Sequence, residues 1–353
     1  MAYSPTELLT VYLDARNQRR KVGRLAFKDR QILFEYDASF ITSGIEISPI
    51  KLPLRPGVSI ADTAIFDGLH GVFNDSLPDG WGRLLLDRTV EKYGVHRGQL
   101  NPLDRLAYVG RHGMGALSYE PELSQQTADD APLALDKLAE ESAVVLAGEN
   151  EEVFEDLLRL NGSSSGARPK IVAQVSTDKK RIIHGQQEFE PGFAHWMIKF
   201  PSSQDARDAG AIEYAYSLMA KDSSVEMSET HLFRTKRNKY FGTKRFDRDG
   251  DARIHMHSLG GLIHADHRSP SLDYDTSRLS QDRCANRRCP LGNGSGESSR
   301  RTRQYAREHS GRVKAGHRHD QSGHPSRGTG SRRRTATGMA PENKVAVTVP
   351  LRT

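Results

Sequence analysis

The run "GSSSGARPK", residues 162–170, packs two glycines, three hydroxyls and two cations into nine positions. Glycine lets backbone N–H groups approach a phosphate oxygen, and serine and lysine add donors. The spacing is not that of a GxxxxGK[ST] P-loop. Two readings therefore stand for this run alone: a plain surface loop, or a loop that closes over phosphate. Lys199 stands near the end of the apolar stretch "HWMIKF", residues 195–200. A lysine among such neighbours is either paired or sits on an edge strand with its head in water. In kinase-type sites a strand lysine grips the α- and β-phosphates and pairs with a glutamate on the next helix. Glu213 lies on the next helical stretch, "DAGAIEYAYSLMA". The segment "TKRFDR", residues 243–248, reads as an exposed hairpin or as a hinge whose backbone hydrogen-bonds an adenine. In the second reading Asp247 and Arg248 are supports.

Other residues point less directly to chemistry. "FNDSLPDGWG", residues 73–82, offers Ser76 or Asp79 as the cap of a following helix. Cys284 and Cys289, with His309, His317, His319 and His324, invite a zinc reading. No hydrophobic pattern surrounds them, so a metal site is not expected there.

The elements that must position these residues alternate in period. "ELLTVYLD", "RKVGRLAF" and "RQILFEYD" are short alternating runs between polar turns, so residues 6–50 read as β-rich. A helix follows "LPDGWG", and "NPLDRLAYVGRHGMGALSYEP" reads as a short helix, a glycine-rich turn and a strand. Residues 124–150 read as a linker into helices, and "EEVFEDLLRLNG" as an amphipathic helix. "PKIVAQVS", "RIIHG" and "AHWMIKFP" read as strands around the long helix that carries Glu213. "SETHLFRTKRN", "KYFGTKRFDR" and "ARIHMHSLGGLIHAD" read as further strand-like pieces.

At about Thr276 the texture breaks. Residues 276–353 carry 17 Lys/Arg against 5 Asp/Glu, so the overall +6 becomes −6 for residues 1–275. The basic balance belongs to this tail and identifies no partner for the preceding part. Large aliphatic residues nearly vanish there, and such a composition buries too little surface to offset ordering. A natural disordered basic tail fits, and so does a GC-rich frame read out of register; the abrupt change favours the second. No apolar run is long enough for a membrane span, and the opening residues lack a signal-peptide pattern. The expected location is cytoplasmic. Two cysteines make no disulfide framework.

Taken together and in order, these motifs resemble the HipA toxins, serine/threonine kinases of bacterial type II toxin–antitoxin modules. "VGRLAF", "ILFEYD", "ISPIKLPL", "FNDSLPDGWGRLLLDR" and "GRHGMGALSYEP" resemble the family's N-terminal subdomain. "GSSSGARPKI", "WMIKFP", the "DAGAIEY" helix and "TKRFDR" resemble the first half of its kinase core. The resemblance runs to about Tyr274. It implies an α+β fold with a HipA N-terminal subdomain over 1–125, an incomplete kinase-like lobe over 126–275, and a disordered tail over 276–353.

The resemblance also implies ATP with Mg2+, phosphoryl transfer to a Ser/Thr of a translation-related protein, and a HipB-like antitoxin that supplies the only contact with DNA. Gly166, Ala167 and Lys170 then match the phosphate loop, Lys199 the ATP-gripping lysine with Glu213 as its partner, and Lys244, Arg245 and Phe246 the adenine hinge. Ser163 stands where some members autophosphorylate. The family's "DxHxKN"-like catalytic loop has no counterpart after Thr276. "LDYDT", residues 272–276, contains a YD pair, but it comes too early for Asp273 or Asp275 to be the metal aspartate. The expectation is a frameshifted, truncated and inactive kinase relative whose Mg2+ site is lost. A non-catalytic ATP- or antitoxin-binding module is the alternative. A nucleic-acid binder working through the basic tail is the third reading.

Overall fold

The computed structural model describes residues 3–62, 65–123, 132–148, 154–161, 166–185, 188–202, 204–206, 208–265 and 346–347. Ser163, Asp273, Asp275, the cysteine–histidine cluster and nearly all of the tail lie outside these residues.

The fold is α+β. Strands β1 (Leu8–Ala15), β2 (Gln18–Lys28), β3 (Gln31–Tyr36), β4 (Val58–Ile60) and β5 (Leu117–Glu120) form one antiparallel sheet in the order β4-β3-β2-β1-β5. Their alternation sends one face inward: Leu9, Val11 and Leu13 of β1 meet Leu25, Phe34 and Tyr119 in one buried cluster. The helices α1 (Ala38–Ser43), α2 (Gly71–Asn74) and α4 (Pro102–Val109) supply Phe40, Phe73 and Leu106 to the same cluster. Asn101 begins α4 with a capping box, its side chain accepting from Asp104 N while Asp104 accepts from Asn101 N.

A second cluster forms around another antiparallel sheet. It is built from β6 (Lys170–Ser176), β7 (Ile182–His184), β8 (Phe193–Lys199), β9 (Thr230–Arg234) and β10 (Lys239–Lys244), in the order β7-β6-β8-β10-β9. Every residue of β6 is buried, which explains its nearly continuous apolar sequence. α5 (Leu135–Ala147) and α6 (Phe154–Asn161) cover the sheet with Leu138, Val145, Leu157 and Leu160. α3 (Gly80–Lys92) follows the first-sheet residues in sequence, yet its Trp81 and Leu85 belong to this second cluster. α7 (Ala209–Asp222) packs on β9 and β10.

The stretch after "TKRFDR" departs from the strand-like reading. It forms two-residue strands β11 (Arg248–Asp249), β12 (Ala252–Arg253) and β13 (His257–Ser258), then the short helix α8 (Leu259–Ile263). The cause is local: the Ser258 side chain accepts from Gly261 N and starts a helix where alternation alone suggests a strand. Among the described residues no helix is long and apolar enough to cross a membrane.

Candidate functional site

The loop and the strand lysine converge through register. Lys170 on β6 lies directly opposite Lys199 on β8, and Lys199 lies opposite Phe241 on β10. Directly opposed residues on neighbouring strands share a face, so two cations stand side by side. β8 is central in its sheet, which removes the edge-strand explanation for Lys199. Lys199 Nζ is hydrogen-bonded to the Glu213 carboxylate on α7 and sits 5.3 Å from the Phe241 ring centroid. Lys170 is buried, and its Nζ donates to the Gly166 carbonyl at 2.9 Å.

The loop end is held from a distance of more than eighty residues in sequence. Gly166 has φ +110°, a conformation open to glycine and strained for other residues. Its N–H donates to the Asp79 carboxylate, and its carbonyl accepts from Trp81 N at 3.1 Å. A Cβ on Gly80 would lie 2.6 Å from Ala167 Cα, so only glycine permits this approach. The helix-cap reading of "LPDGWG" is thereby corrected. Asp79 occupies the N-cap position of α3 but makes no side-chain cap bond, because its carboxylate is turned to the loop. Ser76 receives the Tyr119 hydroxyl hydrogen instead, at 2.7 Å. Replacing Asp79 by alanine is expected to loosen the loop at a cost of about 1–2 kcal/mol. Hydrogen exchange at the Gly166 amide should then accelerate by roughly tenfold; unchanged exchange would show that Asp79 does not anchor it.

The hinge residues separate into two roles. Lys244 is exposed and its N–H donates to Glu229 O at 2.8 Å. Phe246 is 37% exposed, leaving part of its ring free to contact a ligand. The Arg245 side chain faces inward, its Nε and Nη2 donating to Asp247 at 2.9 and 2.6 Å. Its N–H donates to His195 O at 2.8 Å, so neither group is offered to an adenine. Ala167 is exposed at the loop end, and Arg168 pairs with Asp205 at 2.8 Å.

Asp247 and Arg248, read from the sequence as supports, belong to a buried polar array whose reach to Gly115 the sequence did not reveal. Asp247 is fully buried and receives Arg245, Arg248 Nη1 at 2.8 Å and Gly115 N at 2.7 Å. Burial pushes its carboxyl up, but Arg245 and Arg248 outweigh this and hold it well below the usual carboxylate range. Asp75, Ser48 and His257 form a second array. His257 Nδ1 is 2.7 Å from Asp75 Oδ2, and its Nε2 is 3.1 Å from Ser48 Oγ. This is the connectivity of a Ser-His-Asp triad. Ser48 is only 1% exposed and His257 fully buried, so no substrate reaches the hydroxyl and the array is a structural stitch. No signal of spacing could have found residues so distant in sequence.

Family models place these observations. The model for the HipA N-terminal domain matches residues 10–120, and that for the HipA-like C-terminal domain matches residues 162–299. The chain belongs to the HipA family. The second match runs beyond Thr276, where the sequence texture breaks, into residues outside those described. No curated protein matches the chain. Among solved structures, the chain is similar to HipA of the Shewanella oneidensis MR-1 toxin–antitoxin system, determined with HipB and its operator DNA. Identity is 18% and the TM-score 0.46, over 72% of this chain and 56% of that one. The chain thus spans little more than half the length of that structure.

Proposed function

We propose that this HipA family chain derives from a serine/threonine kinase toxin and retains a nucleotide-phosphate site without the machinery for transfer. The observation that carries the reading is the opposed pair Lys170 and Lys199, with Lys170 bonded to the Gly166 carbonyl and Lys199 held by Glu213. Glu213 offsets the charge of Lys199, and the two opposed lysines still give this face of the sheet a place that attracts a further anion. A triphosphate supplies that anion, and in kinase-type sites a paired lysine is the group that orients it. Ala167 would contribute backbone to the phosphates and Phe246 a ring face to the base, whereas Gly166, its N–H given to Asp79 and its carbonyl to Trp81 and Lys170, would shape the loop and not bind phosphate itself. Ser163 is the proposed autophosphorylation site.

Transfer requires a base at the acceptor hydroxyl and Mg2+ across the phosphates. The sequence after Thr276 offers no "DxHxKN"-like loop, so catalytic inactivity and loss of the Mg2+ site belong to the same proposal. So do the divisions 1–125, 126–275 and 276–353, a cytoplasmic setting, a HipB-like antitoxin as partner and a translation-related protein as ancestral substrate. The non-catalytic ATP-binding module is thus the working form of the reading.

The test is ATP binding by the full chain. Wild-type protein should be thermally stabilised by millimolar ATP, and Lys199→Met should bind ATP at least tenfold more weakly. The same variant gives up the ion pair with Glu213, which is partly exposed, and should lose no more than about 1 kcal/mol without ligand. Equal ATP affinity in wild type and Lys199→Met would remove the reading. Phosphorylation of the chain or of a protein substrate, abolished by Lys199→Met, would overturn the inactivity.

A further inference from the structure

A cavity of about 160 Å³ is lined in part by Arg111, His195, Arg245, Arg248 and Arg253. Its wall is cationic beyond what its own pairing balances. Arg245, Arg248 and Arg253 are all nearly buried, with side-chain exposures of 5%, 10% and 14%. Among the described residues the carboxylates paired with them are Asp247 and Asp14. Asp14 is shared, since it also pairs with Arg19 at 3.5 Å and accepts from Ser118 Oγ at 2.7 Å.

Most other bonds of Arg248 and Arg253 go to the carbonyls of Arg111, Gly113, Gly115 and Leu117, which are neutral. Carbonyls satisfy donors without cancelling charge, so three guanidinium groups face two carboxylates. Arg111 at the rim adds a fourth cation, and its ion-pair contact is a loose 3.8 Å to Glu120, itself bound to Arg19 at 2.7 Å. The acids at the mouth, Glu188 and Asp251, are exposed and therefore screened by water.

A second observation concerns a residue of the same wall. His195 is 9% exposed, and its Nδ1 has no hydrogen-bond partner among the described residues. A buried polar atom left open costs about 1–3 kcal/mol, so the wall carries a polar strain of its own. Arg245 likewise commits Nε and Nη2 to Asp247, with no bond from Nη1 among the described residues. Burial and the neighbouring guanidinium groups of Arg245 and Arg248 hold the His195 ring neutral, its pKa lowered to about 4, as expected beside excess positive charge.

We propose that this cavity binds a phosphate-class anion, the excess guanidinium charge attracting it and the His195 ring in its wall sensing its charge. Planar guanidinium groups with fixed donors suit tetrahedral oxyanions, and the volume admits one such group and not a nucleotide. The same chemistry is offered by inorganic phosphate and by a phosphorylated side chain. This site does not depend on the lysine pair, so the two stand or fall separately.

The test follows the histidine ring 15N signals of the full chain during titration with inorganic phosphate and, separately, with O-phosphoserine. Saturable movement of the His195 signal is expected, and it should persist in Lys199→Met, which separates the cavity from the glycine loop. Arg111→Ala, an exposed change, should weaken the response by roughly five- to tenfold. Tighter binding of phosphoserine assigns a phosphorylated side chain as the source; equal or tighter binding of inorganic phosphate assigns the free anion. A His195 signal unmoved by both probes overturns the proposal, as does movement with unchanged affinity in Arg111→Ala.

Discussion

Replacing Asp247 by alanine should lower the melting temperature by roughly 10 °C, the largest effect of any single change at the polar arrays. The carboxylate is fully buried and receives hydrogen bonds from Arg245, Arg248 and Gly115. Removing one partner of a buried ion pair costs about 3–5 kcal/mol, because the remaining charge is left in a poor solvent. Here two guanidinium groups would be left facing each other, with Arg253 close behind. Domains are stable by only about 5–15 kcal/mol, and each kcal/mol moves the midpoint by about 2–4 °C at this size. Asp247→Asn keeps the shape and removes the charge, so it should lose most of the same stability. Arg111→Ala, at the exposed rim, should change the midpoint by little more than 1 °C. Thermal denaturation of the three variants decides the matter; a shift under about 3 °C for Asp247→Ala would show that the array contributes no net stability.

Acidification from pH 7 to pH 5 should destabilise the chain steeply, through buried histidines and before its ion pairs are touched. Burial lowers the pKa of His70, His195 and His255 from 6.5 to about 4 each. Their rings lack partners that could hold an extra proton: both nitrogens of His70 and the Nδ1 atoms of the other two are unsatisfied among the described residues. Between pH 4 and pH 6.5 the unfolded chain therefore binds protons that the folded chain refuses. Stability is complete above pH 6.5, falls as pH drops below it, and stops falling from this cause near pH 4. Each pKa unit is worth about 1.4 kcal/mol, so three such groups contribute several kcal/mol even after relaxation. Paired carboxylates act in a lower window, beginning near pH 4. Urea denaturation at a series of pH values should show uptake of about two to three protons on unfolding near pH 5. Stability flat from pH 7 to pH 5 would contradict this, and His70→Leu should reduce the slope by about one proton.

The sequence revealed the parts whose signal is local. The strands with alternating burial, such as β1 with Leu9, Val11 and Leu13, were legible from period alone. So was α7, and the motif order pointed to the family. The pairing of Lys199 with Glu213 was expected from the resemblance and is present in the structure. What was not legible is long-range polar contact. Asp79 has the residue type and position of a helix cap, and only the tertiary fold shows it reaching Gly166 instead. Arg245 looks like an exposed hinge residue because a charged residue at a strand end normally is one. Its burial depends on Asp247 and on the Gly113–Gly115 carbonyl cluster that satisfies Arg248. His257 carries no mark in its neighbourhood that could announce Asp75, 182 residues away.

That last separation sets a timetable for synthesis. At about 5–20 residues per second, the ribosome takes roughly ten to forty seconds to travel the 182 residues from Asp75 to His257. Throughout that interval Asp75 has its carboxylate formed and its partners unmade. The same holds, for a shorter time, of Trp81 and Leu85, whose apolar neighbours on β6 and β8 have not yet been translated. The first sheet can close early, since β1 to β5 are complete by Glu120. α3 cannot, and leaves the exit tunnel as an amphipathic segment whose Trp81 and Leu85 wait for the second cluster. A nascent chain of this kind is most exposed to chaperones and proteases while residues 93–240 are being made, and a slow codon in that stretch lengthens the exposure.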